Sequence, residues 1–349
     1  MDQKRRWPES RLRSGIRPIK LIGSRALSPT ATLPMAAGKT SAIKAVSSRA
    51  LDRAEPLIRG VIYISGWSSI LFVAAIFFFI FKEAAPILTK VDWGEFLFEN
   101  RWIPNPAEGN KAHYGAAGIL YGTFAITVVS TMIAMPLGFA AAVYISEFAT
   151  GKVKETLKVL IELLAAIPSI IWGFIGLVIM GPIIQKFFNV EVGVNLLNAS
   201  LMVAFMAIPL IVSISEDALR AVPDSYREAA VALGASKWEV VYKVLFPAAK
   251  NGLLAAAMLG VGRAVGETMA VWMASGGTEN IPGNVLNPAI LLERVKAMTA
   301  TIASEMKDTA HGDEHYMMLF VIGIVLLFIC VVINVISDLV IKGIKKKHS

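Results

Sequence analysis

The chain has 349 residues, 55% hydrophobic and 17% charged, with a mean hydropathy of +0.61. Soluble domains carry about a quarter charged residues, so this balance excludes an ordinary soluble domain or a disordered chain and points to lipid. The net charge of +8 does not signal nucleic-acid binding, because 13 of the 34 Lys and Arg precede Gly60 and the basicity belongs to the N-terminal segment.

Residues 1–59 hold thirteen basic and four acidic side chains, with scattered Ser, Pro and Gly and no apolar stretch of signal-peptide length. A disordered cytoplasmic tail facing water or lipid headgroups is expected there, with Met35 as an alternative start. Arg5-Arg6 lacks the apolar region that follows in a twin-arginine signal. Gly38-Lys39-Thr40 resembles the end of a phosphate-binding loop, but Leu33 stands where its first glycine belongs and no strand precedes it, so no ATP site is expected.

A membrane-spanning helix needs about 20 mainly apolar residues. Six such runs follow, Gly60–Phe81, Ala117–Ile145, Leu157–Ile184, Leu197–Ser215, Gly252–Ser275 and Met317–Ile341. An all-α, polytopic membrane domain over residues 60–349 is the predicted fold. An even number of spans puts both termini on one side. With that side cytoplasmic, the inner segments hold 25 Lys and Arg against 8 outside, which the positive-inside rule favours. The single cysteine, Cys330, lies in the last run, so neither a disulfide framework nor a cysteine-rich metal site is available.

Pro168 and Pro209 fall inside predicted spans and remove helical hydrogen bonds, so each is a potential kink. The pairs Gly118/Gly122 and Gly262/Gly266 have the spacing that lets helices approach closely in lipid. Glu147, Glu162, Glu216 and Asp338 read as charges near the inner boundary. His311, Asp313, Glu314 and His315 cluster in sequence, but an outer loop with no defined helix face does not make a metal site.

Arg263 is the one basic residue deep within a span. A cation there costs at least about 2.5 to 3.5 kcal/mol, so it must face a polar cavity or a partner. Glu267 sits one turn onward, and on a continuous helix the two share a face and can pair. An entering oxyanion would compete for the guanidinium, whose planar fork matches its oxygens, while the carboxylate would keep binding weak enough for release.

Between Asp217 and Lys250 the hydrophobicity breaks for about thirty residues, too long for a simple connection. Ser225-x-x-Glu228 and Ser236-x-x-Glu239 both have the form of a helix capping box. Two short helices are predicted, over about residues 226–233 and 237–246, the first closed by Gly234 and the second by Pro247. Ala229, Ala230 and Leu233 would share one side of the resulting knob.

The series Glu228-Ala229-Ala230, Gly234, Val244, Phe246 and Pro247 resembles the EAA loop of ABC-importer permeases, with Val244 and Phe246 in place of the usual Ile and Leu. Tyr121-Gly122-Thr123, Ala142 to Glu147, Ala166-Ile167-Pro168-Ser169, Gly262 to Val271 and Ser304-Glu305-Met306 are most similar to PstC-type phosphate permeases, a likeness running from about Gly60 to the C-terminus. The resemblance implies a type I importer fold in a bacterial inner membrane and a loop over residues 217–250 that docks on a separate cytoplasmic ATPase. It implies a substrate pathway at Arg263, Glu267 and Thr268. Implied partners are a PstA-type permease, two ATPase copies, a periplasmic phosphate-binding protein, phosphate and lipid, with no nucleic acid, cofactor or metal. The chain itself is expected to hydrolyse nothing.

A permease for another oxyanion remains open, since a guanidinium distinguishes charge better than central atom. A self-contained channel or ion-coupled carrier would need no ATPase dock. A membrane enzyme lacks support, because the spans hold no His cluster and no nucleophile paired with a base.

Overall fold

A computed structural model describes residues 38–106, 111–279, 281 and 287–346. The chain divides into two compact units, Met1–Ile70 and Leu71–Ser349. Helix α1, Gly38–Leu88, contributes to both. Residues 38–59, expected within a disordered tail, are therefore helical, and Gly38-Lys39-Thr40 opens that helix rather than a phosphate loop. In the first unit Arg59 pairs with Glu55 one turn away at 2.7 Å. Arg5-Arg6 and Met35 lie outside the described residues.

The second unit continues through α2 (Trp93–Phe98), a two-stranded antiparallel ribbon of β1 (Trp102–Ile103) and β2 (His113–Tyr114), and α3 (Ala117–Val143). A π-helical turn, Tyr144–Phe148, ends α3. Next come α4 (Gly151–Ala166) and α5 (Ser169–Ile175), a second π turn at Gly176–Met180, α6 (Gly181–Phe188) and α7 (Leu196–Arg220). α8 (Asp224–Ala232) and α9 (Lys237–Glu239) precede a third π turn, Val240–Leu245, which leads into α10 (Phe246–Gly266). α11 (Met269–Ala274), α12 (Met298–Glu305) and α13 (Glu314–Lys346) complete the order. The ribbon is the one sheet among the described residues, so the fold is all-α in substance.

Among the described residues, six helices are long and apolar enough to cross a membrane: Glu55–Leu88, Ala117–Phe148, Ser169–Phe188, Leu196–Arg220, Lys237–Gly266 and Glu314–Leu339. Two differ from the sequence expectation. The third was placed over Leu157–Ile184, but Ile167 and Pro168 are extended, with ψ of 121° and 143°. The proline ring removes an N–H and pushes the preceding residue out of the α region, so the helix breaks. α4 thereby becomes a separate amphipathic helix with no residue buried in the chain. Pro136 and Pro209 remain inside α3 and α7. The fifth span begins at Lys237 and stops at Gly266, nine residues before the expected end.

α7 is the most enclosed of the six, and α3 and α10 lean on it where small residues remove side-chain bulk. A Cβ on Gly138 would lie 2.6 Å from Ile211 Cγ2, one on Gly260 would lie 2.8 Å from Ile211 Cδ1, and one on Gly252 would overlap the Ala218 side chain. Gly262 and Gly266, expected to do this, are exposed and would meet nothing within 4 Å. Gly118 and Gly122 do permit close approach, but to loop backbone rather than to a helix. A Cβ on Gly118 would overlap the Glu279 carbonyl, and one on Gly122 the Lys296 carbonyl.

Candidate functional site

Arg263 lies in the last turn of α10, exposed, with no ion-pair partner among the described residues. The expected pairing with Glu267 is absent because the helix ends between them. Glu267 is extended, with φ of −70° and ψ of 131°, so the geometry that would bring residues i and i+4 together is lost. Its carboxylate instead accepts from the Ala270 N–H at 3.2 Å, capping α11. Its carbonyl accepts from the Thr299 hydroxyl of α12 at 2.7 Å. Thr268 fills the N-cap position of α11 without making a side-chain cap, and its hydroxyl donates to the Gly266 carbonyl at 3.3 Å. Arg263 thus sits beside an interruption of the fifth span, on a face with Leu259, Gly262 and Gly266 that this chain leaves open.

Above the interruption, the segment after α11 folds back into the bundle. Met298 to Thr301 of α12 are buried, and the Met298 N–H donates to Thr123 Oγ1 of α3 at 2.9 Å. The segment is held by Lys296, which donates to Glu279 at 2.9 Å and also to Glu305. Glu305 Oε2 accepts from Trp102 Nε1 at 2.8 Å and meets His315 Nε2 at 3.2 Å. Burial alone would lower the Lys296 ammonium; the two carboxylates outweigh it and hold it above the ordinary lysine value, so it stays charged. His315 joins the Glu305 network, while the His311 ring packs on Tyr316 at 4.7 Å.

At the opposite end lies the α7–α10 connection. Gly234 closes α8 in the left-handed region, at φ +83°. Ala235 N–H bonds the Ala230 carbonyl and Gly234 N–H the Val231 carbonyl, the double bond of a Schellman end. The Ser236–Glu239 capping box forms as expected, with both reciprocal bonds. The Ser225–Glu228 box does not, because Pro223 takes the N-cap position and starts the helix at Asp224. Nor does Pro247 end the second helix. It comes just after the π turn Val240–Leu245, and the backbone runs on as one helix from Lys237 to Gly266.

Of the residues singled out there, Ala230 is buried, while Glu228, Ala229 and Pro247 are exposed and Leu233 is 90% exposed. The expected common side of Ala229, Ala230 and Leu233 is thus split between core and solvent. Val244 and Phe246 pack partly against a core formed by Ile145, Leu219, Ala230, Val241 and Leu245. Tyr226, Val231, Leu233, Trp238 and Tyr242 leave apolar surface open around Gly234.

Two carboxylates read as boundary charges are internal brackets. Glu216 on α7 is 4% exposed and meets Lys158 of α4 at 2.9 Å, with Arg220 at 3.5 Å and Lys154 at 4.0 Å. Glu147, in the π turn after α3, receives Arg227 of α8 in a bidentate pair, Nη2 to Oε1 at 3.1 Å and Nε to Oε2 at 3.3 Å. Arg227 was not singled out by sequence, although it adjoins Glu228. Hydrogen bonding to Glu147 raises its already high basicity.

Six apolar helices among the described residues, an exposed arginine at the end of the fifth and a structured helix pair between the fourth and fifth define a polytopic membrane protein. A solved bacterial ABC transporter involved in the import of the acidic polysaccharide alginate matches it with a TM-score of 0.57 at 11% identity, over 84% of this chain and 98% of that one. The inward-facing MetNI methionine ABC transporter gives 0.50 at 22% identity, over 64% and 93%. These likenesses establish the type I importer permease fold.

The chain belongs to the binding-protein-dependent transport system inner membrane component family, whose profile matches residues 134–346. It is 35% identical over 289 residues to the probable ABC transporter permease protein YqgH of Bacillus subtilis, covering 82% of this chain and 89% of that one. It is 32% identical over 299 residues to the phosphate transport system permease protein PstC of Pasteurella multocida, covering 77% and 89%. It is therefore the permease component of an ABC importer, a multi-pass inner-membrane protein and not itself an enzyme, working with a permease partner, separate ATPase subunits and a binding protein.

Proposed function

We propose that this permease passes inorganic phosphate, with Arg263 as the cation on the pathway and Glu267 and Thr268 shaping the interruption beside it. The observation that carries the reading is an exposed guanidinium, without an ion-pair partner among the described residues, at a break in a spanning helix. Such a charge is too costly to leave facing lipid, so the open face around it belongs to a polar route shared with the second permease, of PstA type. The relatives named as phosphate transport permeases support the choice of phosphate. A second oxyanion is the alternative, since the fork of an arginine fits any of them.

In this reading both termini are cytoplasmic and a periplasmic binding protein delivers phosphate to the end carrying Lys296. Two ATPase copies serve the complex, one gripping the apolar surface around Gly234 through the segment from Glu228 to Pro247. An external drive is required because each negative charge entering the cell opposes about 2.3 kcal/mol per 100 mV. A self-contained channel would have no use for such a loop.

The test is uptake of labelled phosphate into vesicles holding the chain with its partner permease, ATPase and binding protein. Accumulation is expected only with ATP, and excess sulfate or molybdate is expected not to compete. Preferential uptake of another oxyanion would replace phosphate, and flux without the ATPase would replace the importer reading.

Gly234→Val probes the loop. No atom lies within 4 Å of the added Cβ, so the cost is backbone strain alone, about 1 to 2 kcal/mol for a residue forced into the left-handed region. Co-purification of the ATPase is expected to fall several-fold, whereas Gly234→Asn, which tolerates that region, retains it. Equal ATPase recovery in both variants would separate Gly234 from docking.

A further inference from the structure

The short turn at the end of α3 receives both halves of the α7–α10 connection. From the first half, Arg227 holds Glu147 with two bonds, its side chain 20% and the carboxylate 14% exposed. The same guanidinium donates to the carbonyls of Leu219 at 2.8 Å and Val222 at 2.7 Å, at the end of α7, and to Asp224 at 3.0 Å. From the second half, Trp238 packs against Phe148 with ring centroids 5.2 Å apart and the planes tilted by 44°, and Lys237 Nζ lies 6.0 Å from the same ring. Glu147 and Phe148 are neighbours in the π turn Tyr144–Phe148.

We propose that Arg227 is a positioning residue that locks α8 to α3 and α7 through Glu147, so that motion imposed on the loop enters the second span at Tyr144–Phe148 as well as the fifth. The inference rests on the reading of this loop as the ATPase dock. Three features support it. The planar fork of arginine fills five acceptor contacts from three elements, which a lysine could not do. The opposite end of α8 is joined to α9 through the left-handed Gly234, so α8 is clamped at one end and turns sharply into α9 at the other. A π turn carries one residue more than an α-helical turn and is found in helices where a local adjustment serves function. Here it places consecutive side chains, a carboxylate and a ring, against the two halves of the loop.

The experiment uses the whole complex in vesicles and measures ATP hydrolysed per phosphate taken up, together with the amount of ATPase bound. Glu147→Gln keeps the shape and removes the charge; Arg227→Lys keeps the charge and removes the fork. Each is expected to raise ATP consumed per phosphate at least fivefold with ATPase bound as in the wild type. A bond that only held the fold would lower assembly, hydrolysis and uptake together and leave the ratio unmoved. An unchanged ratio in assembled complexes would overturn the proposal, and so would failure of both variants to assemble, because the pair would then be a fold contact. If the wild-type complex took up no phosphate, the substrate reading alone would fall. The same variants would then be compared by binding-protein-stimulated against basal ATP hydrolysis.

Discussion

Arg263→Ala is expected to lower ATP-dependent phosphate uptake by about 10- to 150-fold, the equivalent of losing about 1.5 to 3 kcal/mol of charge-assisted hydrogen bonding to the passing anion. Assembly should survive. Arg263 has no ion-pair partner among the described residues, so its removal strands no buried carboxylate there, and alanine is at least as good a helix former. Arg263→Lys should fall between the two, since it keeps the charge without the fork. Glu267→Gln tests a different point. Because Glu267 caps α11 instead of neutralising Arg263, the amide, which can still accept from Ala270, should retain the break and change uptake less than Arg263→Ala does. Wild-type uptake by an assembled Arg263→Ala complex would remove this residue from the pathway.

Gly118→Val is expected to have the largest effect on folding. A Cβ there would overlap the Glu279 carbonyl and lie close to Asn100 Oδ1, so backbone rather than a flexible side-chain end would have to shift. Overpacking costs about 1 to 3 kcal/mol where side chains can shift, and more is expected against backbone. The variant should melt at lower temperature and expose the segment around Lys296 to protease. Gly266→Val, with nothing within 4 Å, is the control and should leave the isolated chain as stable apart from helix propensity. Equal protease resistance in the two would mean that the 276–305 segment is not seated on α3 in solution.

The positions of the spans were legible because hydropathy is a sum over many residues, and a few polar exceptions do not erase it. The exceptional status of Arg263 was legible for the same reason. The interruptions were not. Pairing Arg263 with Glu267 assumed a helix that continues through Gly266, and nothing in Gly266-Glu267-Thr268 alone reveals that α12 will arrive to hold the broken backbone through Thr299. Ser225 and Ser236 offer the same local pattern, yet only the second forms its cap, because Pro223 occupies the position that the first would need. Arg227 was passed over because its carboxylate partner lies 80 residues away, beyond any spacing rule. Glu216 shows the other side of the same limit: its nearest cation, Lys158, comes from α4, a helix created by the Pro168 break, and only Arg220, one turn along α7, lies within reach of a spacing rule.

The uninterrupted run from Lys237 to Gly266 has a mechanical reading. The 26 residue-to-residue steps from Lys237 to Arg263 make a rod of about 39 Å at 1.5 Å each. Gly252 and Gly260, resting on Ala218 and Ile211, supply the pivot. Measured from Gly252, Arg263 lies eleven residues, about 16 Å, along the rod, so a tilt of about 10° sweeps that end through about 3 Å, the length of one hydrogen bond. A small nudge beneath the bilayer would therefore suffice to bring the guanidinium into, or out of, reach of a passing ion.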